Sequence, residues 1–135
     1  MIEYSTNMAD LESLSSSGFF VGWPHKPSDE KFREILAASY TYVLAFADGR
    51  DDAVGFVTVI SDGVFSAFIP LLEVKKEFHG QGIGRRLVEE AEARLPSIYS
   101  LDIVCDAELD GFYDSLGYLR RSGRGKRFRQ NFAEQ

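Results

Sequence analysis

The chain holds a single cysteine, Cys105, which cannot pair within the molecule, so no disulfide framework supports the fold and the cytoplasm is the expected setting. Histidine is nearly as scarce. His25 and His79 are the only two, and with Cys105 they supply no metal-ligand spacing, so no metal is expected. The start, Met1 to Ser13, has neither a basic flank nor an apolar run of signal-peptide length, and no later stretch approaches the ~18 apolar residues of a membrane span. A soluble protein without a membrane partner is expected. No internal repeat, low-complexity tract or linker interrupts the 135 residues, which argues against two cores and predicts one domain over residues 1–135.

What is present is enough to fill a core. Apolar residues make up 44% of the chain and aromatics 13%, which excludes a disordered tail as the main character of the molecule. The net charge of −6 is unevenly spread: residues 120–135 carry six basic groups and one acid, Glu134, leaving an acidic body of net −11. Such a body suits a cationic partner such as an amine and argues against a duplex nucleic acid. The basic tail keeps a phosphate or RNA contact as the alternative.

Residues 2–4 read as a short strand, and Met8 to Leu14 as a helix of about two turns, stopped by Ser15-Ser-Ser-Gly18. Ser28, followed by Asp29 and Glu30, is an N-cap with acids in the first turn and predicts a second helix to about Ser39. Three antiparallel strands follow at Tyr42–Ala47, Ala53–Ile60 and Val64–Val74, joined at the hairpin dipeptides Asp48-Gly49 and Asp62-Gly63. From Gly82 the period changes. Ile83, Leu87, Val88, Ala91 and Leu95 share one helical face up to Pro96. Leu101–Cys105 reads as a buried strand, Ala107–Leu116 as a helix and Tyr118–Arg121 as the start of a further strand. The order predicts an α/β (α+β) fold with a mixed sheet and helices on both faces.

The segment His79-Gly-Gln-Gly-Ile-Gly84 leads from the end of a long strand directly into an amphipathic helix. A helix start leaves amide N–H groups without intrahelical partners and carries partial positive charge, so it accommodates anions. Glycines at 80, 82 and 84 let the backbone bend and let a phosphate approach without meeting a Cβ. A P-loop would need Lys and then Ser or Thr after the last glycine, but Arg85 and Arg86 stand there. A dinucleotide fingerprint begun at Gly82 would need a small residue at Leu87 and a βαβ unit rather than a hairpin meander. A turn with no ligand is the remaining alternative.

In this arrangement the chain resembles the GNAT superfamily of acetyl-CoA-dependent N-acetyltransferases over nearly its whole length. The family's turn is Arg or Gln, two residues, Gly, one residue, Gly or Ala; the chain matches except that His79 replaces Arg or Gln. The resemblance implies a mostly antiparallel sheet whose fourth and fifth strands splay apart. It places the acetyl-CoA pyrophosphate on the turn and helix start, among His79, Gly80, Gln81, Gly82, Ile83, Gly84 and Arg85. It also implies that the backbone of Leu72 and Val74, flanking Glu73, holds the pantetheine arm like an added strand.

A second family pattern, Asn with Tyr seven residues later in a helix ending Gly-aromatic, is met by Asp106 to Tyr118 with Asp106 in the Asn place and Tyr113 on the tyrosine. Asp here, with Phe-Tyr and Leu-Gly-Tyr after it, resembles the small arylalkylamine and protein acetyltransferase-like branch of plants and bacteria. By this resemblance Tyr113 gives a proton to the departing thiolate and adjoins the coenzyme; the alternative is that Phe112 and Tyr113 only pack the helix. A backbone amide near Leu72 or Val74 would stabilise the developing oxyanion.

The base stays open. Glu73 and Asp102 stand out as charges inside apolar strands, while Asp106 suits a structural or coenzyme-orienting role. Cys105 as an acyl-enzyme nucleophile has no nearby His, so direct transfer in a ternary complex is preferred. Phe19, Phe20 and Trp23 lie in the region that lines the acceptor pocket in the family, or alternatively cap the core. The resulting expectation is acetyl transfer to a primary amine of a small molecule or peptide. The alternative is a non-catalytic acyl-CoA sensor or a module binding RNA or a protein partner, with a homodimer left open.

Overall fold

The computed structural model describes residues 1–49 and 51–132, so Glu134 of the basic tail lies outside the described residues. Five strands form one sheet in the order β1 (Glu3–Ser5), β2 (Thr41–Phe46), β3 (Ala53–Ser61), β4 (Ser66–Val74) and β5 (Ser100–Ile103). The first four pair antiparallel, and β5 supplies the one parallel pair beside β4 after a helical crossover. This is the mixed, mostly antiparallel sheet that the sequence predicts.

The hairpins form where the turn dipeptides stand. Gly49 and Gly63 take φ of 88° and 76°, and the Asp62 carboxylate accepts the amides of Val64 and Phe65 at 2.8 Å each and of Ser66 at 3.2 Å. Those bonds hold the Asp62 carboxyl below its ordinary pKa. Within β4, Pro70 has no amide to donate. Thr58 pairs with Leu71 but Ile60 with Phe68, so one extra β4 residue is accommodated as a bulge.

Alternate β3 residues meet different helices. Phe56 packs edge-on to Phe32 of α1 (Asp29–Ala38), ring centroids 4.8 Å apart, while Gly55 faces Ile83 and Leu87 of α2 (Ile83–Ala93). Helices therefore cover both faces of the sheet. On the α1 face, Phe19, Phe20, Phe32, Leu36, Leu44 and Phe56 are almost wholly buried. Ser28 caps α1 by accepting the Lys31 amide at 3.1 Å, as its position predicts. On α2 the buried side chains are Ile83, Leu87, Val88 and Ala91, with Leu95 buried beyond its end.

Two compact units divide the chain, residues 1–102 and 103–135. In the second, a single 3₁₀ turn (Ala107–Leu109) runs into α3 (Asp110–Ser115), and α4 spans Arg129–Phe132. The Gly117 amide donates to Asp114 O and the Tyr118 amide to Tyr113 O, both at 3.0 Å, with Gly117 at φ 89°, a Schellman ending for α3.

Three local expectations are corrected. The two-turn helix at Met8–Leu14 is one 3₁₀ turn, Met8–Leu11, because Asn7 caps it and the chain leaves at the serine run. The helix expected over Ala107–Leu116 begins as 3₁₀ and becomes α only at Asp110. Residues 118–128 form no strand: Leu119 is exposed, and Arg120 is drawn to Asp114 at 2.7 Å and Asp110 at 3.8 Å.

Candidate active site

The end of β4 has an unusual edge. Lys75 donates its amide to Val54 O at 2.8 Å, in a register that pairs Val74 with Gly55 and Leu72 with Val57. Main-chain groups of successive strand residues point to opposite edges, so Leu72 and Val74 aim their N–H and C=O away from β3. β5 does not reach them. It starts where the Tyr99 and Ser100 amides both donate to Phe65 O at 3.0 Å and is four residues long, so at equal rise it ends alongside the middle of β4. Among the described residues, a short stretch of hydrogen-bonding edge extends past the end of β5 at Leu72 and Val74. One group already uses it: His79 Nε2 lies 2.7 Å from Val74 O, and since a carbonyl only accepts, that nitrogen carries the hydrogen.

The turn that follows completes the shape. A 3₁₀ turn, Lys76–Phe78, brings the chain to Gly80 and Gly82, at φ 79° and 78°, conformations that residues with a Cβ adopt at a cost. A Cβ at either position would meet nothing within 4 Å, so the surface beside both is open. Gly82 immediately precedes α2, whose first intrahelical bond is Arg86 N to Gly82 O at 3.1 Å. The amides of Ile83, Gly84 and Arg85 thus stand in the first turn, where no intrahelical acceptor serves them. Gln81 and Arg85 are exposed, the latter 3.6 Å from Glu89.

Gly55 explains how α2 comes so near the strands. A Cβ there would lie 3.1 Å from Leu87 Cδ1, 3.2 Å from the Glu73 carbonyl and 3.4 Å from Ile83 Cγ2. The sequence reading passed over this residue, although a glycine inside a strand pattern is itself a signal of close approach.

Glu73 is the most unusual carboxylate of the first unit. Its Oε1 accepts the Phe20 amide at 2.8 Å, and its Oε2 is buried with no hydrogen-bond partner among the described residues. Burial raises its pKa, against the smaller lowering effects of the Phe20 amide and Lys26. The other buried side-chain oxygens without a partner among the described residues are Tyr42 Oη and Thr58 Oγ1. Tyr42 pairs with Thr58 and Phe56 with Glu73, so all three oxygens share the α1 face of the sheet.

The remaining sequence candidates fall in different surroundings. Phe19 and Phe20 are core residues, 1% and 2% exposed, whereas Trp23 is half exposed and meets Phe20 edge-on at 5.0 Å. Asp102 is exposed, with Ser100 Oγ at 3.4 Å, and Asp106 is exposed ahead of the 3₁₀ turn at Ala107. In the second unit Tyr113 is buried, edge-on to Phe112 at 4.9 Å and to Tyr118 at 5.7 Å. Burial, then the neighbouring Cys105, pushes its phenol up to about 12. The Cys105 thiol is itself pushed up, by burial and by Asp110, so it is held as the weakly nucleophilic thiol.

Comparison with known proteins agrees with this geometry. Residues 8–118 match the family model described as the acetyltransferase (GNAT) family. Among curated relatives, the uncharacterized N-acetyltransferase ycf52 of Gracilaria tenuistipitata var. liui is 28% identical over 117 residues, covering 84% of this chain and 62% of that protein. Serotonin N-acetyltransferase 2, chloroplastic, of Oryza sativa subsp. japonica is 25% identical, covering 87% of this chain and 60% of that one. The chain therefore spans less than two thirds of the length of these relatives. Among solved structures, a candidate acetyltransferase from Deinococcus radiodurans R1 is 34% identical with a TM-score of 0.86, covering 98% of this chain and 92% of that one. A match of this extent settles the family: the chain belongs to the GNAT acetyltransferases.

Proposed function

We propose that this chain transfers an acetyl group from acetyl-CoA to a primary amine by direct attack in a ternary complex. The observation that carries the reading is the run of β4 edge beyond the end of β5, left-handed glycine turn and α2 start. Leu72 and Val74 offer alternating acceptor and donor groups to an amide-bearing arm, and the open faces of Gly80 and Gly82 let a pyrophosphate reach the amides at Ile83, Gly84 and Arg85. The coenzyme supplies the activated thioester; the chain's residues hold it and move protons.

Glu73 is the base in this reading. Burial raises the pKa of Glu73, which suits it to take an ammonium proton near neutral pH, whereas Asp102 and Asp106 are exposed side chains. The freed nitrogen adds to the thioester carbonyl and the C–S bond breaks, the sulfur leaving with the electron pair; the surplus proton that the nitrogen sheds on becoming an amide replaces, through solvent, the one that the sulfur takes up. The proton donor to that sulfur is Tyr113. With a pKa near 12 it stays protonated throughout the working range, so it serves mainly as a hydrogen-bond donor to the departing thiolate.

The deciding experiment is an amine panel incubated with acetyl-CoA while free thiol is detected. Amine-dependent thiol release is expected. Binding of acetyl-CoA with no release across aliphatic, aromatic and peptide amines would point instead to a sensor.

A further inference from the structure

Six of the chain's fifteen basic residues fall between positions 120 and 129, a stretch without an acid, and five of the six are arginine. Residues 118–128 form no helix or strand, and every residue from Leu119 to Asn131 is exposed. Arg120 is neutralised by Asp114 at 2.7 Å and Asp110 at 3.8 Å. Among the described residues, Arg121, Arg124, Lys126, Arg127 and Arg129 have no carboxylate partner. Arg124 Nη1 donates to Gly123 O at 2.9 Å, which uses one of its five N–H groups. Beside these cations stands an exposed ring: Phe128 is 57% exposed, with Lys126 Nζ 5.4 Å from its centre. None of these side chains belongs to the candidate active site.

Five uncompensated cations between positions 121 and 129 favour a polyanion over a single phosphate. Arginine suits phosphodiesters, because its planar fork holds two oxygens and its face stacks on a base. A lipid surface is met instead by an amphipathic helix, which residues 118–128 do not form. A duplex carries one charge per ~1.7 Å and hides its base faces, whereas a single strand carries half that density and offers its bases to a ring. Residues 1–119 hold a net charge of −11, nine basic groups against twenty acids, so the lower charge density is also repelled less. We propose that residues 121–129 bind single-stranded nucleic acid, with the five basic side chains on phosphates and the Phe128 ring stacked on a base. This surface is independent of the acetyl-transfer reading.

The test is fluorescence anisotropy of a labelled oligouridylate of about 20 nucleotides titrated with the full chain. Affinity should fall with salt at a log–log slope of about −3.5, roughly −0.7 for each of five cations, which is about a hundredfold between about 50 and 200 mM. Replacing Arg121, Arg124 and Arg127 with Ala should bring the slope to about −1.4 and leave Tm unchanged, since all three are exposed and outside helices and strands. Phe128→Ala should weaken binding at least about fivefold at an unchanged slope, because a ring releases no counterion. An oligothymidylate bound equally well would place the contact on phosphates and base faces, and tighter RNA binding would add the 2′-hydroxyl; both agree with the proposal. Parental affinity in the triple variant or in Phe128→Ala would overturn it, as would tighter binding to phosphatidylserine vesicles than to either strand. Salt-sensitive self-association lost in the triple variant, with neither strand bound, would overturn it in favour of acidic residues on a second copy.

Discussion

Gly82 separates backbone strain from ligand repulsion in one position. At φ 78° and ψ 12° it is left-handed, yet a Cβ built there meets nothing within 4 Å. Gly82→Ala therefore costs only the conformational penalty, about 1 kcal/mol, which for a chain of this size lowers Tm by roughly 4 °C. Gly82→Glu carries the same penalty, and a negative charge ahead of a helix start is electrostatically favourable, so it should be no less stable than the Ala variant. Their coenzyme affinities should differ sharply. Two unit charges ~5 Å apart repel by roughly 3 kcal/mol at an effective dielectric of about 20, which is about a hundredfold in affinity. Titration calorimetry of acetyl-CoA into both folded variants should show that gap, wider at low salt. Equal affinity for the Ala and Glu variants would remove the pyrophosphate from this turn.

Replacing Tyr113 with Phe keeps the ring between Phe112 and Tyr118 and deletes the proton, so kcat should fall at least about tenfold with acetyl-CoA affinity little changed; parental turnover would make it a packing residue. For Glu73, a raised folded pKa means that its stability contribution is present below the ordinary value of 4.5 and lost as pH rises through the folded value. Urea melts should accordingly show Glu73→Gln gaining stability relative to the parent as pH rises from about 4 toward neutrality, and a pH-independent difference would contradict the burial argument. His79→Ala should tighten acetyl-CoA if His79 Nε2 competes for Val74 O, but weaken it if the ring contacts phosphate, so the sign of the calorimetric change decides. Gly55→Ala should destabilise the chain by about 1–3 kcal/mol in chemical denaturation, since the Glu73 carbonyl at 3.2 Å is backbone and cannot swing away; a neutral effect would mean that α2 is free to shift.

Much of the scaffold was legible because it rests on local rules. Ser28 before two acids, Asp-Gly at both hairpins and the buried face Ile83-Leu87-Val88-Ala91 each state their conformation within a few residues, and the glycine-rich turn is legible for the same reason. Tyr118–Arg121 failed because its alternation looks like a strand while Arg120 is satisfied by two aspartates of the second unit. What the tertiary structure alone decided concerns partners far apart in sequence. The environment of Glu73 depends on an amide 53 positions away, which no periodicity reports. Phe19 and Phe20 are core rather than surface because Phe32 and Phe56 close around them, and Gly55 matters because α2 crosses its strand. The chain's local pattern determines which conformations each segment prefers, but burial, and with it the pKa and reach of a carboxylate, is set by whatever other segment folds over it.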